Sequence, residues 1–198
     1  LVVLSDKVLV FNELCHSCGA CAYLCPQRAI KEIEHPIGVI EEAQLPGYGT
    51  LLTGRLNVGE AQSPPLIKAT KSQKATSALR FVDCPPGTTC AMIESLRDSN
   101  YCLLVTEPTP FGMHDLKLSL EAIEMLGIPG GLVINRWQGE ESELTALSDK
   151  TGVPILGRIP FSPELAQAYM QGQDPLEAMP SLRNILTDIF SRIKGALS

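Results

Sequence analysis

Apolar positions along the 198-residue chain fall into two patterns, and the change comes near residues 57–63. Before it, VIEEAQL (39–45) and TLLTGRLNV (50–58) read as strands set between Gly and Pro punctuation. After it, short apolar runs alternate with longer stretches at helical spacing. ALRFVD (78–83), YCLLVTE (101–107), GGLVINR (130–136) and PILGRIP (154–160) are predicted as buried strands. Residues 88–98, 114–127 and 140–151 are predicted as helices between them, with 163–172 and 180–194 as helices after the last strand. This alternation predicts an α/β fold, a Rossmann-like and mostly parallel sheet with helices on both faces. Each strand runs into a polar or Gly/Pro loop at its carboxyl end, the edge where open sheets bind ligands.

Composition narrows the class. Hydrophobic residues make up 44% and charged residues 19%, close to globular averages, which excludes a disordered or collagen-like chain. No stretch approaches the ~18 uninterrupted apolar residues of a membrane span. Sixteen basic against 22 acidic side chains leave a net charge of −6, which argues against nucleic acid as the main partner. A weak basic patch remains at 59–78, where Lys68, Lys71 and Lys74 face Glu60 alone.

Seven cysteines change the picture more: Cys15, Cys18, Cys21, Cys25, Cys84, Cys90 and Cys102. With no basic segment or cleavage site at the opening LVVLSDKVLVF, close cysteine spacing predicts metal binding in a reducing, cytoplasmic setting rather than a disulfide frame. CHSCGACAYLCP (15–26) has the spacing C-x2-C-x2-C-x3-C-P of a 4Fe-4S ferredoxin run, with Gly19 permitting the tight turn. A zinc knuckle is the alternative, but zinc sites usually present two separated Cys pairs or a pair with histidines. His16 is expected to face solvent. In two-cluster ferredoxins the fourth cysteine of a run ligates the other cluster. Cys25 therefore either bends back to close a single cluster or serves a partner run upstream of Leu1. The second is favoured, because LVVLSDKVLVF has the character of a strand joining two ferredoxin halves.

FVDCPPGTTC (81–90) puts Asp83 at a strand tip, where nucleotide-binding folds hold the water shell of Mg²⁺. Gly87 lets backbone approach a phosphate, and a helix opening at Thr88 or Thr89 offers free N–H donors. An ordinary strand–loop–helix with a capping side chain explains the same residues equally well. Asn135, near the end of another strand, suits reading an adenine edge and is also a common turn residue.

Taken together, CHSCGACAYLCP, GRLNVGEAQSPPLI, DCPPGTTC, LLVTEPTPFGMHDLKL, VINR and ILGRIPFSPELAQAY resemble the MinD/ParA-type P-loop ATPases that contain an inserted ferredoxin domain. The resemblance implies that residues 1–38 are the second half of the ferredoxin domain and 39–198 the C-terminal part of the ATPase domain. It implies Asp83 as the Walker B or switch II aspartate and Gly87, with Thr88 beside it, as the γ-phosphate sensor. Asn135 becomes the adenine reader, with Arg136 next to it, and Pro160 and Phe161 line the purine pocket. A 4Fe-4S cluster on Cys15, Cys18, Cys21 and Cys25, ATP or ADP with Mg²⁺, and a homodimer through the nucleotide face complete the expectation. Cys90, seven residues after Asp83, stands where a distant relative, the nitrogenase iron protein, carries a cluster ligand; a small thiol in a helix's first turn is the commoner reading.

The departure is a missing phosphate loop. No Gly in the chain is followed by Lys, so nothing resembles K-G-G-x-G-K-[ST]. The chain is expected to correspond to the C-terminal two-thirds of the family's protein and to lack ATPase activity by itself. Two functions follow: an iron-sulfur ATPase, in which ATP gates electron transfer or metal-cluster assembly on a client, or an electron-carrier or scaffold module with a nucleotide-incompetent α/β part. An amide synthase of the cobyrinate type ranks last. The C-terminal SLRNILTDIFSRIKGALS is amphipathic and is expected to cover its own sheet rather than a membrane. Cys84 and Cys102 are expected in or near the core.

Overall fold

The computed structural model describes residues 1–11, 14–15, 17–74 and 78–197 and divides into two compact units, Leu1–Asp83 and a second beginning at Cys84. His16 lies outside the described residues.

In the first unit, β1 (Val2–Val3) and β2 (Val8–Leu9) pair antiparallel around a turn closed by Leu4 N–H donating to Lys7 O at 2.8 Å. The single joining strand expected over this opening is thus a tight hairpin, because Ser5 and Asp6 supply turn chemistry at its middle. The short helix α1 (Ala20–Leu24) carries Cys21. β3 (Gly38–Leu45) and β4 (Gly49–Leu56) form the predicted strands, an in-register hairpin from Gly38↔Leu56 to Leu45↔Gly49. A helix not anticipated, α2 (Pro64–Lys71), starts on two prolines whose missing N–H groups cost nothing in a first turn. It packs Leu66 onto the hairpin; a Cβ on Gly54 would lie 2.6 Å from Thr70 Oγ1 and 3.2 Å from Leu66 Cγ.

Residues 78–83, expected as a buried strand, join none of the three sheets, and Phe81 is 80% exposed. Their β-propensity is genuine, but a strand exists only in a ladder. Here Arg80 instead donates to the carbonyls of Lys71 and Gln73 at the end of α2. Asp83 is accordingly exposed and ends no strand, which corrects its expected placement.

The second unit holds a parallel sheet in the order β5-β6-β7, made of Cys102–Thr106, Gly130–Trp137 and Ile155–Pro160. Helices α3 (Cys90–Leu96), α4 (Pro110–Leu126) and α5 (Ser142–Thr151) alternate with these strands, as predicted. After β7 come α6 (Pro163–Met170), α7 (Pro175–Ala178) and α8 (Ser181–Ala196). Side chains of β6 alternate between two cores. Leu132 and Ile134, fully buried, pack with Met92, Leu116, Leu120 and Leu144 from α3, α4 and α5, while Val133 points to the other face with Leu156 and Ile189 of α8. Helices therefore cover both faces, and each such apolar side chain contributes about 1.5–3 kcal/mol by leaving water. Gly157 lets α8 settle on β7, since a Cβ there would meet Ile189 at 2.6 Å. On β5, Leu103 and Val105 stay exposed. No helix among the described residues is long and apolar enough to cross a membrane.

Candidate functional site

Two groups of chemistry-bearing residues emerge, one in each unit. In the first, Cys15, Cys18 and Cys21 are exposed and Cys25 is half-buried just after α1. The backbone turns sharply here. Ser17 (φ 50°), Gly19 (φ 72°) and Arg28 (φ 50°) adopt left-handed conformations, which is costly for Ser and Arg and easy for Gly. Cys25 Sγ accepts from Ala29 N–H at 3.4 Å. That N–H, opposed by slight burial and aided by those of Gln27, Ile30 and Arg28, holds the Cys25 thiol below the usual range. Successive N–H groups aimed at one sulfur stabilise negative charge there, as a thiolate ligand requires. Among the described residues no three Cys, His, Asp or Glu side chains converge as a metal-ligating set. The donor chemistry nevertheless fits an iron-sulfur group: exposed thiols at ferredoxin spacing, with N–H donors directed at the fourth sulfur.

The second group lies at the carboxyl edge of the sheet. A groove of about 480 Å³ is walled by Cys84, Pro86, Gly87, Thr106, Glu107 and Asn135 among others. Gly87 takes φ 83°, a turn that any side chain would strain, and Thr88 is exposed beside it. α3 opens one residue further on, after Thr89, as expected. At the end of β6 the register with β7 shifts between Ile134 and Trp137, and Arg136 sits in the bulge at φ 54°. Its guanidinium lies 5.3 Å from the centroid of Phe161 and 3.4 Å from Glu107 Oε2. Asn135, Arg136, Pro160 and Phe161 thus gather at neighbouring strand ends.

Two further features of this edge escaped sequence reading. Glu141 and Arg158 form a two-bond ion pair between the loop before α5 and β7. The Arg158 hydrogen bonds hold the Glu141 carboxyl below the ordinary range despite partial desolvation. Trp137 Nε1, buried without a hydrogen-bond partner, lies near the same carboxylate beyond bonding geometry. The available signal was Arg158 itself, a charge inside an apolar strand pattern that needs an acidic partner. Cys102 is buried, which with the nearby Cys84 raises its thiol to about 11, so it is a core group rather than a ligand. Cys90 is exposed at the start of α3.

The 4Fe-4S binding domain family matches residues 8–31. The fold is similar to that of the MinD cell division protein of Aquifex aeolicus, with a TM-score of 0.58 at 17% identity over 78% of this chain and 68% of that one. A MinD-like sheet joined to a ferredoxin-type cysteine run defines the class: the chain belongs to the MinD/ParA-type P-loop ATPases that contain a ferredoxin domain, and it carries an iron-sulfur binding segment. Among individual relatives, an uncharacterized protein of Methanocaldococcus jannaschii, MJ0579, is 30% identical over 98% of this chain and 67% of its own length. The cytosolic Fe-S cluster assembly factor NUBP2 of Bos taurus is 29% identical over 67% of this chain and 59% of its own length. Its Xenopus tropicalis counterpart is 33% identical over 59% and 50%. The chain therefore spans between half and two-thirds of these relatives.

Proposed function

We propose that the intact protein is a cytoplasmic iron-sulfur ATPase that assembles metal clusters on a client protein. The supporting observation is that relatives named as cytosolic Fe-S cluster assembly factors align with this chain while its own cysteine run has the 4Fe-4S spacing. In this reading Cys15, Cys18, Cys21 and Cys25 hold the resident cluster, with the N–H groups around Cys25 lowering the cost of its charge. A bound 4Fe-4S cluster supplies one-electron transfer. Asp83, Gly87 and Thr88 serve the phosphates and Mg²⁺, and Asn135, Arg136, Pro160 and Phe161 serve the purine. The client and the homodimer through the nucleotide face belong to the same proposal. ATP-gated electron transfer to the client is the companion form of it.

A second reading is an electron carrier or scaffold with a nucleotide-incompetent α/β part; the residues given contain no Gly-Lys pair to make a phosphate loop, and the full-length protein decides between the two. Iron, acid-labile sulfide and zinc per chain, measured on protein purified without oxygen, test the metal half of both readings. About four irons with a broad band near ~400 nm are expected; zinc in their place overturns the cluster assignment. Cluster delivery from the full-length protein to an apo-ferredoxin, with and without ATP, then separates the two. Delivery that ignores ATP leaves the scaffold.

A further inference from the structure

The segment that leaves the cysteine run is pinned at both ends and carries one carboxylate back to the run. At its start, Ala29 N–H donates to Cys25 Sγ at 3.4 Å, so the chain turns as soon as the fourth cysteine is passed. At its far end, three contacts fasten it to the loop after β4. Asn57 Nδ2 donates to Pro36 O at 2.8 Å, Asn57 N–H donates to Ile37 O at 2.9 Å, and His35 Nε2 meets Glu60 Oε1 at 2.6 Å. Between these anchors Glu32 brings both carboxylate oxygens to Gly19: a Cβ there would lie 3.7 Å from Oε1 and 3.8 Å from Oε2. Gly19 stands between Cys18 and Cys21, in the left-handed turn (φ 72°) that opens α1. Glu32 is exposed and has neither a hydrogen bond nor an ion pair among the described residues, so no bond of its own explains its place.

From this placement we infer that Glu32 sets the reduction potential of the cysteine run's iron-sulfur group, lowering it by the charge it holds beside the Cys18–Cys21 turn. The inference rests on the reading of Cys15, Cys18, Cys21 and Cys25 as holding a 4Fe-4S cluster and adds a tuning device to it. Four thiolates make the charge around such a group negative, and one-electron reduction makes it more so; net charge is among the quantities that fix the potential. A carboxylate beside the run opposes the added electron, whereas the Ala29 N–H at Cys25 favours it. Because the segment is clasped to the loop after β4, the position of that charge is set by a part of the fold that contains no cysteine.

The test is a mediated potentiometric titration of the full-length protein, purified without oxygen and reduced with dithionite, read by visible bleaching alongside iron per chain. Glu32→Gln is expected to favour the reduced state about fivefold at a given potential, a rise of ~40 mV at 59 mV per tenfold for one electron, with iron per chain unchanged. Glu32→Lys, which reverses the charge, is expected to move the potential further in the same direction. Raising salt from about 0.1 M to about 1 M shortens the screening length about threefold and should shrink both shifts. Glu42→Gln removes the same charge from β3 and is expected to change the ratio less than about twofold. An unchanged potential in both Glu32 variants overturns the inference and leaves the cluster assignment standing. A shift in Glu42→Gln equal to that in Glu32→Gln also overturns it, since net charge alone would then suffice. Loss of iron in both Glu32 variants shows a structural role and overturns it too. Wild-type protein that holds no iron overturns the cluster reading together with the inference.

Discussion

The two units of this chain are ordered by different physics. In the second, half of β6 is buried, with helices on both faces and Leu132 and Ile134 wholly removed from water. In the first, the hairpin β1–β2 and helix α1 bury nothing, and Leu66 is the one buried apolar side chain among the described residues. In the cysteine segment the local order described is the short helix α1 and the Ala29 N–H bond to Cys25 Sγ. A chain without a core must take its order from ligands, because the entropy of about 1–2 kcal/mol per fixed residue is not offset by burial. The comparison predicts that metal occupancy and sheet stability are separable properties here.

The largest effect expected from that contrast is Cys18→Ala, which should abolish stoichiometric iron binding while leaving the denaturation midpoint reported by Trp137 unchanged. A joint loss of both would break the separation. Conversely, Leu132→Ala should destabilise the second unit by about 2–5 kcal/mol in urea unfolding, with iron per chain intact. Next comes Gly54→Val, which forces a side chain into the space of Thr70 and Leu66 and should cost about 1–3 kcal/mol. Hydrogen exchange would register it as lost protection in β3–β4 and none in β5–β7. The smallest is Glu141→Gln. The folded Glu141 carboxyl is held below its ordinary 4.5, so its ion pair stabilises fully above that pH and is lost as pH falls through the depressed value. Wild type should exceed the variant by no more than about 1 kcal/mol at neutral pH and converge with it in acid. A gap that persists in acid would assign the effect to packing.

Much of this was legible beforehand where periodicity and local chemistry agree. The three strands of the parallel sheet and their intervening helices announced themselves because buried β-runs and 3.6-residue spacing alternate cleanly. The cysteine spacing needed no fold at all. What failed to show was set by partners distant in sequence. Residues 78–83 have strand composition, yet Arg80 ties them to the end of α2. Nothing local in YCLLVTE or VINR says that Glu107 and Arg136 will meet, since their encounter depends on a bulge and on strand order. Helix α2 was hidden behind Pro-Pro, which reads as a breaker although it also serves as a helix start.

One face of β5, the outermost strand of the described sheet, carries two exposed apolar side chains, Leu103 and Val105. α8 shelters the neighbouring strands and stops short of these two side chains. A stripe of β-branched and aliphatic groups on an edge strand is where sheet proteins begin to precipitate. Val105→Lys is therefore expected to raise the salt concentration at which this chain precipitates, read by turbidity, without changing its unfolding midpoint.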